Sequence, residues 1–141
     1  MGSGLIEAIP SGSLLTLDSA PIIYFLENHP GLAGRYAPLF DAAAQGSVSI
    51  AVSAITVAEV IAGPLAAGKE ALAEQYRAAL GRWLVAPVTE ELAALAARFR
   101  ARFRLRLPDA IQLATAVHTG SYALMTHDRD FSRVRDVRVL S

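Results

Sequence analysis

Residues 42–68, AAAQGSVSIAVSAITVAEVIAGPLAAG, carry a single charge, Glu59, and how they are read decides the fold. A helix of about 20 apolar residues spans a bilayer, and a mean hydropathy of +0.37 makes that reading worth weighing. The stretch does not support it. Gly46, Glu59, Gly63 and Pro64 break the run, and hydroxyls at Ser47, Ser49, Ser53 and Thr56 punctuate it. It reads instead as a buried strand over 47–52, followed by a buried helix that Ser53 caps and Gly63-Pro64 ends.

Working outward, the same alternation repeats. LLTLD (14–18) reads as a first strand and APIIYFLENHP as a helix, with Pro21 in its first turn and Pro30 beyond its end. Residues 32–45 form a second helix stopped by Gly46. KEALAEQYRAALGRWL (69–84) is an amphipathic helix, VAPV (85–88) an extended link, and Thr89 caps the helix EELAALAARFRAR. PDAIQLATAVHTG (108–120) is a helix opened by Pro108, YALMT (122–126) a strand, DRDFSRV a turn, and VRVLS a last strand. Strands alternating with helices predict one α/β domain, a mostly parallel sheet covered on both faces. Residues 1–13 read as a leader, with Met1–Gly4 as an expression remnant, and 14–141 as the domain.

Between two of these helices lies RFRARFRLRLPD (98–109), with arginine at every second position from 98 to 106. Strict alternation is a strand signal. However, Phe99 and Phe103 are four apart, as are Arg98 and Arg102, which suits a helix with one apolar stripe. Pro108 then disfavours helix just before it, so RLRL reads as a link into the next helix.

Composition narrows the function classes. The chain has 141 residues, 53% apolar and 18% charged, enough for a sizeable core and far from disorder. It has no cysteine, which excludes disulfides and thiolate metal sites. No signal peptide or membrane span is read, and the cytoplasm is the expected compartment. Net charge is zero but uneven: residues 1–97 hold four basic and nine acidic groups, residues 98–141 nine basic and four acidic. That asymmetry suits an anionic partner near the C-terminal part.

Four carboxylates stand in apolar surroundings. Asp18 ends a strand and Asp128 follows one; Glu59 sits inside AITVAEVIA; Asp109 opens a helix. Singly, each has a plain explanation. Asp18 can cap the following helix, and Asp109 can complement a helix dipole. Asp128 and Asp130 can be turn residues, and Glu59 can reach an exposed edge. Together, in a parallel sheet, all four converge on one edge, where chemistry gathers beyond the carboxyl ends of the strands. Clustered anions repel and raise one another's pKa unless a cation intervenes. The chain's one lysine, Lys69, lies away from that edge, so Mg²⁺ or Mn²⁺ held by carboxylate oxygen is the natural counter-charge. Such an ion suits phosphodiester hydrolysis. Thr126 and Ser19 supply hydroxyls that can support a carboxylate or bind a phosphate oxygen, although Ser19 can equally be a helix cap.

From Leu14 to Ser141 the sequence resembles a PIN domain, and within that family a VapC-type toxin ribonuclease. The resemblance rests on four motifs in order: LLTLDSAPIIYFLE with Asp18 and Ser19, SAITVAEVIAG with Ser53, Thr56 and Glu59, LPDAIQLATAVHTG with Asp109, and MTHDRDF with Thr126, Asp128 and Asp130. It implies a three-layer α/β/α sandwich and a Mg²⁺- or Mn²⁺-dependent ribonuclease site. Asp18, Glu59, Asp109 and Asp128 would be catalytic, with Asp18, Asp109 and Asp128 on the metal and Ser19, Thr126 and Asp130 supporting them. Between Asp128 and Asp130 the direct metal contact is open, with Asp128 favoured because it directly follows the strand end. It also implies a homodimer, an RNA substrate and a cognate antitoxin that places a basic side chain among the acids. Arg104 and Arg106, nearest Asp109 in sequence, are candidates for RNA contact. Two rivals remain. A receiver-like phosphoacceptor domain fits poorly, because no lysine follows Lys69 and serine follows Asp18. A non-catalytic RNA-binding module would need the basic surface but not the acids.

Overall fold

A computed structural model describes residues 3–141. Five parallel strands form one sheet in the order β3-β2-β1-β4-β5. They are β1 (Leu14–Leu17), β2 (Ser49–Ser53), β3 (Leu84–Ala86), β4 (Ala123–Met125) and β5 (Arg138–Leu140). Helices α1 (Ser3–Glu7), α2 (Ser19–Leu26), α3 (Ala33–Ala44), α4 (Ala54–Ala66) and α5 (Glu70–Leu80) precede α6 (Glu90–Phe103) and α7 (Leu107–His118).

Strand pleating divides the interior into two cores, because successive side chains face opposite sides. Leu15, Leu17, Ile50, Val52 and Met125 join Ile22, Leu39 and Val60 on one face, the side of α1–α5. Leu124 joins Leu92, Phe99 and Leu113 on the other, under α6 and α7. The result is the three-layer α/β/α sandwich expected from the sequence. Leu5, Ile6 and Ile9, within the stretch read as a leader, pack against the first core.

Helix α4 does not stop at Gly63-Pro64. It continues to Ala66 with Pro64 inside it and buried. Proline removes one helical N–H, and here burial of its ring offsets that loss. The stop comes later, where Lys69 N–H bonds Pro64 O, Gly68 N–H bonds Leu65 O, and Gly68 takes a left-handed φ of +73°. Nor does the helix expected over 69–84 reach Leu84, or the stretch 85–88 serve merely as a link: α5 ends at Leu80. Leu84–Ala86 pairs with β2 and forms a sheet edge, too short for periodicity to reveal.

The arginine stretch behaves as two pieces. Through Phe103 it is helix: Leu92, Ala96 and Phe99 are buried, and all five arginines are exposed. Arg104 then turns left-handed (φ 56°, ψ 38°), Leu105 is buried, and Arg106 is extended just before α7. This joint swings Asp109 into the first turn of α7, at the upper edge of the sheet.

Candidate active site

The strand order reverses at β1, with β2 and β3 on one side and β4 and β5 on the other. A crevice opens beyond the carboxyl ends of strands at such a point, and Asp18 and Thr126 meet in it. The main chain fixes them there: Asp18 N–H bonds Met125 O at 2.9 Å, and Thr126 N–H bonds Leu140 O at 2.8 Å.

Asp18 is only 7% exposed. Its Oδ1 accepts Ser19 N–H and its Oδ2 accepts the Thr126 hydroxyl, both at 2.8 Å. Asp18, not Ser19, therefore caps α2. Thr126 Oγ1 in turn accepts Asp128 N–H at 3.0 Å, and Asp128 Oδ1 accepts Asp130 N–H at 2.8 Å. One chain of hydrogen bonds thus aligns three of the predicted carboxylates.

Asp109, 5% exposed, arrives from α7. Carboxylate oxygens of Asp109, Asp128 and Asp130 lie within 4.8 Å of one another. Asp130 thus belongs to the same trio as Asp109 and Asp128, while Asp18 lies outside it against Ser19 and Thr126. Arg106 bridges the group from its exposed side, with Nε 3.3 Å from Asp109 Oδ2 and Nη2 3.9 Å from Asp128 Oδ2. Arg104 makes no ion pair with the acids among the described residues.

Glu59 comes from the second turn of α4. Gln112 Nε2 donates to Glu59 Oε1 at 3.3 Å and to Thr56 Oγ1 at 2.6 Å. Gln112 is 1% exposed, and its Oε1 has no hydrogen-bond partner. Sequence reasoning passed over this residue. The available signal was a polar side chain three positions after Asp109, hence on the same helical face, within an otherwise apolar run.

Electrostatics mark the site as costly. Burial pushes the Asp18 carboxyl above its ordinary range, opposed by the Thr126 and Ser19 bonds and reinforced by Asp128. Burial also raises Asp109, with Arg106 opposing and Asp128 and Asp18 adding to the rise. Glu59 is raised by burial, then by Asp18 and Asp109. Several acids that each resist ionisation, presented as hard oxygen donors without sulfur or imidazole among them, fit a small divalent cation.

The PIN domain family model matches residues 15–137. The chain belongs to the PIN family. No curated protein sequence matches this PIN domain. Among solved structures, it resembles VapBC2 from Rickettsia felis bound to a promoter DNA fragment (TM-score 0.71, 19% identity, covering 89% of this chain and 96% of the other). It also resembles a toxin–antitoxin complex from Klebsiella pneumoniae (TM-score 0.69, 24% identity, 90% and 96% covered). A third is VapC20 from Mycobacterium tuberculosis, a sarcin-ricin loop cleaving toxin (TM-score 0.67, 17% identity, 88% and 98% covered). At these identities the likeness speaks for the PIN fold. Among the described residues, no helix is long and apolar enough to cross a membrane.

Proposed function

We propose that this PIN domain is a Mg²⁺- or Mn²⁺-dependent ribonuclease acting in the cytoplasm as the toxin of a toxin–antitoxin pair. The observation that carries the reading is the meeting of acids from four distant segments, 18, 59, 109 and 128, at the reversal point of a parallel sheet, with three of them raised by burial. Structural neighbours described as toxin–antitoxin complexes support the choice of a toxin role and an antitoxin partner.

Asp18, Asp109 and Asp128 would hold the ion, with Asp130 close enough to join them. When bound, it supplies a Lewis acid for a phosphate oxygen and an acidified water. The protein's own work is orientation and proton handling. Thr126 and Ser19 fix both oxygens of Asp18 through bonds that leave each oxygen further lone pairs. Glu59, its carboxyl raised by burial and steadied by Gln112, would take a proton from attacking water. Arg106, exposed beside the acids, offers a cation to an RNA phosphate; Arg104 is the next candidate along the same joint. The functional unit is expected to be a homodimer.

The test is a Mn²⁺ titration and RNA cleavage assay on the wild type, Asp18→Asn and Asp109→Asn. Both substitutions should weaken Mn²⁺ binding and abolish cleavage; survival of cleavage in both would remove the nuclease reading. Expression in a bacterium should arrest growth with the wild type and not with either variant. A small DNA-binding protein encoded in the neighbouring reading frame would support the toxin role, whereas harmless wild-type expression would count against it.

A further inference from the structure

Beside the acids, on the β5 side, runs a groove of about 430 Å³ whose walls include Thr126, His127, Asp128, Arg129, Val139 and Leu140. Two of these residues belong to the site described above, so whatever reaches Asp128 has this groove as its next space. His127 is exposed, yet its ring is not free to wander. Its Nδ1 lies 3.3 Å from the hydroxyl of the fully buried Tyr36. Its ring meets that of Tyr24 nearly at right angles, with centroids 5.9 Å apart, and Tyr24 stacks on Tyr36 at 6.4 Å. An exposed ring braced by two tyrosines is a preorganised surface, and ordering it costs an incoming ligand little.

Resting on the ribonuclease reading, we propose that this groove is the subsite for one nucleotide flanking the scissile phosphate of single-stranded RNA, its base against His127 and Leu140, which share one side of the sheet. The volume is that of a small-molecule pocket. Bases freed from a helix are gripped by aromatic side chains with little regard to sequence. RNA is the occupant because the groove runs on from Thr126 and Asp128 of the site itself, and Arg129, in its wall beside Asp128, offers a cation to a flanking phosphate. The groove accounts for a residue that the four carboxylates leave idle: His127 sits between Thr126 and Asp128 but points its ring at α2 and α3 rather than joining the acids.

The experiment measures binding of a labelled single-stranded RNA hexamer by fluorescence anisotropy, with Ca²⁺ replacing Mg²⁺ to hold the RNA uncut. Each base in turn is replaced by an abasic residue. At one position the abasic change should weaken binding to the wild type about fivefold or more, but alter the affinity of His127→Ala less than twofold. His127→Phe should recover the sensitivity. Equal abasic penalties in the wild type and His127→Ala at every position, or no binding by the wild type, would overturn the subsite; a peptide-binding groove gives that same absence of base coupling. Cleavage of the unmodified hexamer with Mn²⁺ is measured alongside. Cleavage without coupling leaves the ribonuclease reading standing and removes the subsite. Coupling without cleavage keeps a base-binding groove at His127 but removes the ribonuclease reading and, with it, the scissile phosphate the groove would flank. Thermal melting of each variant shows that it is folded.

Discussion

Removing one hydroxyl, by Thr126→Val, should cost the site much of its metal affinity. Thr126 is buried, so valine fills its space while deleting the 2.8 Å bond to Asp18 Oδ2 and the acceptor of Asp128 N–H. A hydrogen bond to an ionised group contributes about 1.5–3 kcal/mol. That bond favours the ionised form of Asp18, which is the form that binds a cation. Because about 1.4 kcal/mol is tenfold in affinity, its loss predicts Mn²⁺ binding weaker by roughly 10- to 100-fold. A carboxylate already shared with a metal is a weaker acceptor, which places the expectation near the lower figure. Isothermal titration calorimetry with Mn²⁺ on wild type, Thr126→Val and Thr126→Ser measures this directly, and serine should recover most of the affinity. If valine binds Mn²⁺ within about twofold of wild type, Thr126 does not orient Asp18 and the hydrogen-bond chain is incidental.

Three further outcomes can be checked. In metal-free protein the folded state raises Asp18, Asp109 and Glu59, so it binds more protons than the unfolded state just above their ordinary values of 3.8 and 4.5. Stability should therefore fall as pH rises through that window toward neutrality. Asp18→Asn should raise the neutral-pH melting temperature of the metal-free protein and flatten its pH dependence, while Mg²⁺ stabilises only the wild type; a lower melting temperature for the variant would refute this. Gln112→Leu should lower kcat for Mn²⁺-dependent RNA cleavage by roughly tenfold or more, since Glu59 loses a donor; unchanged kcat in steady-state assays would show that Gln112 does not hold Glu59. Leu105→Ala, at the buried point of the α6–α7 joint, should destabilise the protein by about 2–5 kcal/mol in urea unfolding, and a loss under about 1 kcal/mol would mean the joint is not anchored there.

Much of this molecule is legible in its residues because its strands are short, apolar and each followed by a helix signal. Asp18, Ser53 and Thr89 cap where their chemistry allows, and each helix begins beside them. The arginine alternation misleads only as a strand; phenylalanine spacing overrides it, since burial of Phe99 is worth more than any pattern among solvated charges. What was hidden depends on partners far away in sequence. Nothing local shows that Leu84–Ala86 finds β2, or that Pro64 is buried deeply enough to remain inside α4. Gln112 likewise gains meaning only from Thr56 and Glu59, more than fifty positions earlier. The four carboxylates could be named because each is a charge where burial is expected, whereas Gln112 carries no charge to stand out.

The reversal of strand order at β1 has a consequence for synthesis. The central strand is made first, yet its neighbour β4 is made almost last, and the acids arrive at positions 18, 59, 109 and 128. Domains fold as the chain emerges, N-terminal parts first. No fragment that ends before Asp128 can hold the full set of carboxylates, and Thr126 cannot reach Asp18 until β4 has docked. The proposed cleavage activity therefore cannot begin in a growing chain before β4 has emerged and settled beside β1.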